Sequence, residues 1–214
     1  MSTCCPHAQS ASRLFSFFAK RYRKRAGKRG IEPSQEQLLK GLESACYRDG
    51  DLLEIGCGVG HLHQTLLERG ARSAVGVDLA PQMLAEAREL AVQRGLAGRT
   101  EYVEGDFIDL QDKIAPADVT LMDKVVCCYP DADTLIHGSL EKTRRVYALT
   151  YPRDRWFVRL MMALGALFLW LVRSSFRPYV HDPKQIEAWI IEKGFHKQFQ
   201  DITAIWLTQI YVKS

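Results

Sequence analysis

The sequence predicts a doubly wound α/β fold, in which helices cover both faces of a mostly parallel sheet. From Asp51 onward, short β-rich runs alternate with helical ones, which is typical of stacked βα units. A glycine-rich turn follows the first of these runs, as in folds that bind a ligand beyond the carboxyl ends of their strands. The 214 residues, 47% hydrophobic and 25% charged, fit one globular domain with extensions.

Seven strands are expected. The first five are DLLEIGC (51–57), SAVGVD (73–78), TEYVEGD (100–106), DVTLMD (118–123) and RVYALT (145–150). Residues 195–214 predict two closing strands in an antiparallel hairpin. Helices are expected over 34–47, 60–69, 81–94, 131–142, 154–173 and 183–193. Ser34 is predicted as the N-cap of the first helix, with Gln37 at its third helical position.

The positive charge of the chain is concentrated in an N-terminal arm. The formal net charge is +4, yet seven of the ten residues from Lys20 to Arg29 are basic and none is acidic. Outside this decade, 22 basic side chains face 25 acidic ones. We therefore divide the chain into a basic amphipathic arm, residues 1–33, and a domain, residues 34–214. The arm also carries Leu14, Phe15, Phe17, Phe18 and Tyr22.

The cysteines favour a reduced, cytoplasmic protein. The six are Cys4, Cys5, Cys46, Cys57, Cys127 and Cys128, with no C-x-x-C pair and no zinc-type spacing with histidine. The first ten residues lack the pattern of a secretory signal. The longest uncharged apolar run, 160–172, would span only about 20 Å as a helix, which is too short to cross a bilayer.

The sequence LLEIGCGVG places Gly56, Gly58 and Gly60 at alternate positions between a strand and a helix. Missing Cβ atoms let the backbone turn tightly and approach a bound cofactor. The spacing is G-x-G-x-G, unlike the G-x-G-x-x-G of dinucleotide sites. Asp78, in VGVDLAPQML, ends the second strand, where its carboxylate can accept hydrogen bonds from ribose hydroxyls. Asp106, in VEGDF, ends the third strand beside an aromatic ring, a pair suited to an adenine.

With these motifs in this order, residues 50–150 resemble the class I S-adenosylmethionine-dependent methyltransferases. The resemblance implies a Rossmann-like, seven-stranded sheet with an antiparallel last strand, and S-adenosyl-L-methionine as the cofactor. It implies that the glycines lie beside the methionine part, Asp78 on the ribose and Asp106 near the adenine. Glu54 contacts the cofactor or only orders the glycine loop. The expected cofactor-binding residues are Glu54, Gly56, Cys57, Gly58, Gly60, Asp78, Leu79, Met83, Gly105, Asp106, Phe107 and Asp123.

The loop after the fourth strand, DKVVCCYPD, is expected to lie beneath the transferred methyl group. It lacks the N-P-P-Y or D-P-P-Y pattern of amino methyltransferases and the magnesium ligands of catechol-type enzymes, so we expect no metal. Asp123 either caps the strand and pairs with Lys124, or contacts the cofactor or acceptor. Adjacent thiols are poor ligands for one tetrahedral ion. We expect Cys127 and Cys128 to be soft walls of the acceptor pocket or plain buried cysteines.

Outside the cofactor core, the chain is more distantly similar to the magnesium-protoporphyrin IX O-methyltransferases. The similarity lies in the tyrosine-bearing arm, the YP after the fourth strand and the segment ending RPYVHDPKQIEAWIIEKGF. That family has a histidine just before the YP, where this chain has Cys128, so the obvious base is missing. Tyr22 is a candidate lid residue or a helix anchor, and His181 a candidate base or a turn residue. The candidate catalytic residues are Tyr22, Asp123, Cys128, Tyr129 and His181.

The remaining segment, residues 151–182, contains an apolar helical run flanked by arginines. It is expected to cap an apolar acceptor, to lie on a membrane surface, or only to pack in the core. The expected function is O-methylation of a small apolar or amphipathic metabolite, with S-methylation of a small thiol or sulfide as a close alternative. RNA methylation, with residues 20–29 on phosphates, is a third. A non-catalytic cofactor-binding or membrane-peripheral module is the fourth.

Overall fold

The computed structural model describes residues 6–214, except for the side chains of residues 6–7 and 25–29. Its strands are β1 (Asp51–Ile55), β2 (Ser73–Asp78), β3 (Thr100–Glu104), β4 (Ala117–Asp123), β5 (Thr143–Pro152), β6 (Phe195–Ile202) and β7 (Trp206–Lys213). Its helices are α1 (Pro6–Arg29), α2 (Pro33–Ser44), α3 (His61–Glu68), α4 (Pro81–Gln93), α5 (Phe107–Leu110), α6 (Ala132–Glu141), α7 (Trp156–Leu171) and α8 (Pro183–Glu192). Cys4 and Cys5 lie outside the described residues.

The strands form one seven-stranded sheet in the order β3-β2-β1-β4-β5-β7-β6. The pairs among β1 to β5 are parallel, whereas β7 is antiparallel to both β5 and β6. The predicted mostly parallel sheet with an antiparallel last strand is therefore confirmed, and so is the closing hairpin. The switch in strand order lies between β1 and β4, where folds of this kind bind ligands.

Both faces of the central strands are buried, as a parallel sheet between two helical layers requires. Leu53 of β1 packs with residues of α6 and α8, such as Leu135 and Ile186. The next residue back, Leu52, packs on the opposite face with Leu38 of α2 and Leu66 of α3. Successive side chains of a strand point to opposite faces, so one apolar run serves two cores.

The start of α2 differs from the prediction. Pro33 is the first helical residue and Glu32 is the N-cap, while the side chain of Gln35 accepts a hydrogen bond from the Glu32 backbone over 3.3 Å. The prediction of Ser34 as N-cap, with Gln37 at the third helical position, was wrong by two residues. Proline is favoured at the first helical position because its missing N–H would have no intrahelical partner there. Ser34 is instead buried within the helix.

Residues 6–29 of the N-terminal arm form α1, which packs along α4. Ala19 is buried with Val59, Ala80 and Met83. The side chain of Ser12 donates a hydrogen bond to the Leu79 carbonyl over 2.8 Å. Helix α1 therefore packs on the folded body next to the ends of β1 and β2. Among residues 6–214, no helix combines the length and hydropathy that crossing a bilayer requires.

Candidate active site

A cavity of about 930 Å³ lies beyond the carboxyl ends of β1 to β4. The segments that follow these four strands line one side, while α1 and the start of α2 line the other. This volume is at the upper end of the range for small-molecule sites. All predicted site residues except Gly60 and His181 line it. The structure therefore brings together residues that are separated by more than a hundred positions in the sequence.

The glycine loop after β1 is fixed to β2 by its backbone. The N–H groups of Gly56 and Cys57 both donate to the Val77 carbonyl, over 2.8 and 3.0 Å. Gly58 has φ +53, and a Cβ added there would meet no atom within 4 Å. The space beside Gly58 belongs to the cavity, so the backbone is open to a ligand at this point. Gly60 lies at the start of α3 instead.

Glu54 reaches from β1 towards α3. Its Oε2 accepts a hydrogen bond from the His63 backbone over 3.3 Å and lies 2.6 Å from His63 Nδ1. Burial raises the pKa of Glu54, and the hydrogen bond with His63 opposes this rise. These contacts order the helix that follows the glycine loop. Glu54 also lines the cavity. Its direct contact with a cofactor stays a prediction.

Asp78 closes the same loop from β2. Its Oδ2 accepts a hydrogen bond from the Gly58 N–H over 2.7 Å, and its Oδ1 accepts one from the Ala80 N–H over 2.8 Å. Burial raises the pKa of Asp78 to about 6, although both hydrogen bonds favour the charged form. A carboxylate oxygen accepts more than one hydrogen bond, so Asp78 keeps capacity for a ligand hydroxyl.

Asp106 connects the third strand to the loop after β4. Its Oδ1 accepts hydrogen bonds from the Ile108 N–H over 3.1 Å and from the Tyr129 hydroxyl over 2.6 Å. Burial, together with the charge of Asp106, raises the pKa of Tyr129 well above its usual value. Tyr129 is therefore a neutral hydrogen-bond donor at physiological pH and a poor general base.

Asp123, at the end of β4, has one engaged and one unengaged oxygen. Its Oδ2 accepts a hydrogen bond from Gln35 over 2.9 Å and lies 3.4 Å from the Lys124 ammonium, so the expected pairing with Lys124 is present. Its Oδ1 is buried and accepts no hydrogen bond among the described residues. Burial raises the pKa of Asp123, against the effect of Lys124. A buried acceptor without a donor marks a place for a ligand group.

The adjacent cysteines share one backbone acceptor. Both thiols donate to the Lys124 carbonyl, over 3.3 Å for Cys127 and 3.6 Å for Cys128. Only Cys128 lines the cavity. The neighbouring Cys127 thiol, together with burial, raises the pKa of Cys128 well above its usual value. Cys128 is therefore a neutral, polarisable part of the wall. Within residues 6–214, no group of three or more histidine, cysteine or acidic side chains is arranged to hold a metal ion.

His181 and the 151–182 segment do not line the cavity. His181 Nε2 is 2.9 Å from the Tyr129 carbonyl, so the ring supports the loop after β4 from outside. None of residues 151–182 lines the cavity. Tyr22 does line it, from α1.

Several cavity residues were not expected from the sequence: Glu32, Gln35, His61 and Trp206. The Lys124 ammonium donates a hydrogen bond to the Glu32 carboxylate over 2.7 Å and lies 5.4 Å from the ring centre of Trp206. Burial lowers the pKa of His61, which favours its neutral form. Only His61 carried a sequence signal, because it directly follows the glycine motif.

Comparison with known proteins gives one family match. The family model described as "Methyltransferase domain" matches residues 52–147. The ribosomal protein L11 methyltransferase of Pasteurella multocida is 38% identical over 92 residues, which cover 42% of this chain and 31% of that protein. The chain thus spans less than a third of the length of the curated relatives it matches first.

Solved structures share the fold. Magnesium protoporphyrin IX methyltransferase from Synechocystis, crystallised with bound S-adenosylmethionine, has a TM-score of 0.73 and 17% identity, with 100% of each chain covered. An O-methyltransferase family protein from Burkholderia thailandensis has a TM-score of 0.72 and 16% identity, covering 92% of this chain and 59% of that one. Residues 52–147 therefore form an S-adenosylmethionine-dependent methyltransferase domain, and the chain as a whole has the class I methyltransferase fold.

Proposed function

We propose that this chain methylates a small apolar or amphipathic metabolite on oxygen. The observation that supports this is one continuous cavity that joins the glycine loop to Cys128 and to the inner side of α1. The wall contributed by α1 includes Ala8, Ala11 and Phe15, which are apolar. A volume of about 930 Å³ leaves room for a small acceptor next to the cofactor.

The residues present fit the cofactor. Gly58 leaves open space where any side chain would intrude. Asp78 would accept hydrogen bonds from the ribose hydroxyls, and Asp106 with Phe107 would hold the adenine. The other proposed cofactor residues are Glu54, Gly56, Cys57, Leu79, Met83, Gly105 and Asp123. Gly60, outside the cavity lining, would serve only to turn the chain into α3. When bound, S-adenosylmethionine supplies an electrophilic methyl group on its sulfonium sulfur.

The acceptor side of the cavity has to align the nucleophile and exclude water. Cys128 and Tyr129 would form its wall, held in place by Lys124 and Asp106. Tyr22 would help to close the cavity from α1. His181 is proposed to position the loop through the Tyr129 carbonyl.

Asp123 Oδ1 would accept a proton from an acceptor hydroxyl or a hydrogen bond from the cofactor ammonium group. Asp123→Asn separates these roles. Loss of turnover at unchanged cofactor affinity supports the first role, and loss of affinity supports the second.

A transfer assay tests the proposed function. Purified protein is incubated with methyl-labelled cofactor and a panel of porphyrins, quinols and thiols, with heat-inactivated protein as the control. We expect label on an oxygen of an amphipathic member of the panel. Absence of transfer to every member would count against the proposal.

S-methylation of a small thiol or sulfide is the second candidate, because the neutral Cys128 thiol gives the wall a soft, polarisable surface. A thiol also ionises near neutral pH with little help from a base. Label on sulfur alone would favour this candidate. Peripheral contact with a membrane is compatible with either acceptor.

A further inference from the structure

Helix α7 is an apolar helix that the rest of the protein hardly covers. Of its 16 residues only Val158 is buried. The exposed fraction is 58% for Leu164, 64% for Phe168 and 65% for Leu171. Large exposed side chains occur along its whole length: Trp156, Phe157, Leu160, Met161, Leu164, Leu167, Phe168, Trp170 and Leu171. Contiguous apolar surfaces of this size mark interaction sites in water-soluble proteins.

Most charged side chains around α7 are basic. The helix contains Arg159 and no acidic residue, and exposed Arg155 and Arg173 lie just beyond its two ends. Arg159 pairs with Asp154 over 2.5 Å. Long arginine side chains can place an apolar stem in lipid and a guanidinium at the headgroups. Trp156 and Trp170, near the two ends, have the amphipathic character enriched at membrane interfaces.

The end of α7 adjoins α1. The Ser175 N–H donates to the Ser10 hydroxyl over 3.2 Å, and the rings of Phe176 and Phe15 are 5.7 Å apart in an edge-to-face arrangement. Phe15 also lines the cavity. On α1, Phe17 is 81% exposed. Exposed basic side chains follow it on the same helix: Lys20, Arg21 and Lys24.

We propose that α7 docks into the interfacial region of an anionic lipid bilayer, with the basic side chains of α1 as an accompanying electrostatic contact. Apolar side chains on nearly all sides of α7 favour lipid over a second copy of this chain, since helix pairing would cover only one side. Positive charge at both ends and on α1 complements anionic headgroups, and it would repel the same surface of another copy. Docking is independent of the proposed methyl acceptor, because binding to vesicles is measured without any methyl transfer.

The test compares one triple variant and one double variant of the full chain with the wild type. Leu164→Gln, Phe168→Gln and Leu171→Gln together change one exposed side of α7. The matched control, Val92→Gln with Ile191→Gln, changes exposed apolar residues on α4 and α8. Co-sedimentation uses vesicles of phosphatidylcholine with and without phosphatidylglycerol, and tryptophan fluorescence reports burial of the indoles.

We expect the wild type and the control to bind phosphatidylglycerol vesicles, with a blue-shifted emission and weaker binding at high salt. The α7 variant should bind ~tenfold more weakly or worse, since it loses three apolar contacts with lipid. No binding by the wild type, or unchanged binding by the α7 variant, would overturn the proposal.

Two further measurements can also overturn it. A wild-type dimer in the absence of vesicles, lost in the α7 variant, would assign the surface to a second copy. A lower unfolding temperature of the α7 variant than of the control would contradict the exposure of α7 from which the proposal starts.

Discussion

The Tyr129 hydroxyl donates a hydrogen bond to Asp106 Oδ1 over 2.6 Å. This bond joins the loop after β4, where the acceptor is proposed to lie, to the loop after β3, where the adenine is proposed to lie. The same oxygen caps α5 through the Ile108 N–H. A substitution in the loop after β4 should therefore alter the binding of the cofactor.

Replacing Tyr129 with Phe should weaken cofactor binding, although the proposed cofactor residues remain. The loss removes one hydrogen bond to a carboxylate, about 1.5 to 3 kcal/mol, or roughly tenfold or more in affinity. Titration calorimetry with demethylated cofactor measures it. Unchanged affinity would mean that the bond does not order the adenine loop.

Replacing Gly58 with Ala should reduce both stability and cofactor affinity. The residue has φ +53, so a Cβ introduces strain of about 1 kcal/mol, and it also enters the space proposed for the cofactor. Gly95→Ala is the matched control, because Gly95 has φ +68, equally open surroundings and no place in the cavity lining. Both variants should be less stable in denaturant, but only Gly58→Ala should lose about tenfold or more in affinity. Equal affinities would contradict the proposed position of the cofactor.

Asp78 should make the stability of the unliganded protein depend on pH. Its folded pKa, about 6, is raised from 3.8. Between these values the folded state holds a proton that the unfolded state has released. The free energy of unfolding should therefore fall as pH rises through this window, by up to about 3 kcal/mol from this group.

Asp78→Asn should remove this part of the pH dependence and weaken cofactor binding at neutral pH. Urea unfolding between pH 4 and 8 measures the first effect, and calorimetry the second. The exposed cavity residue Asp109, changed to Asn, is the control. A wild-type slope retained in Asp78→Asn would contradict the assignment.

Cys128→Ala should change acceptor turnover more than cofactor affinity, because its thiol lines the cavity on the acceptor side. Cys127→Ala is the matched control, since the neighbouring thiol has the same carbonyl partner but lies outside the cavity lining. The control should lower stability by roughly 1 kcal/mol and leave selectivity among acceptors unchanged. Equal loss of turnover and affinity in Cys128→Ala would mean that the residue is only structural.

Arg23 should couple α1 to α4. It contacts Glu86 over 2.7 Å and Glu89 over 2.5 Å. A double-mutant cycle with Arg23→Gln and Glu86→Gln should give a coupling free energy of about 0.5 to 1 kcal/mol, since the pair is only partly buried. Arg21→Gln, an exposed neighbour, is the control. Additive effects of the two substitutions would show that the contact does not hold α1.

The order of the sheet could be predicted because each strand carries its own signal. The runs at 51–57, 73–78 and 118–123 are apolar and bounded by turns or helical segments, and glycines mark the first connection. The carboxyl ends of parallel strands then bring Asp78, Asp106 and Asp123 to one edge without further information.

Contacts between residues that are far apart in the sequence could not be predicted. The apolar residues of α1 indicated an amphipathic helix, but not that Ala8 and Phe15 would line the cavity. Trp206 enters the cavity because β7 runs antiparallel to β5, which no local pattern near that residue encodes. For α7, high hydropathy is compatible equally with a core helix and with a surface helix, so its exposure had to come from the structure.

The two edge strands of the sheet affect the tendency of the protein to aggregate at high concentration. Edge strand β3 exposes Glu101 and Glu104, and edge strand β6 exposes Lys197 beside an irregularity in its register. Charged side chains and bulges discourage a second chain from adding a strand to an open edge. Much of the exposed apolar surface lies instead on α7, whose backbone groups are paired within the helix. The protein can thus expose the apolar surface of α7 without exposing a strand edge that would template amyloid-like growth.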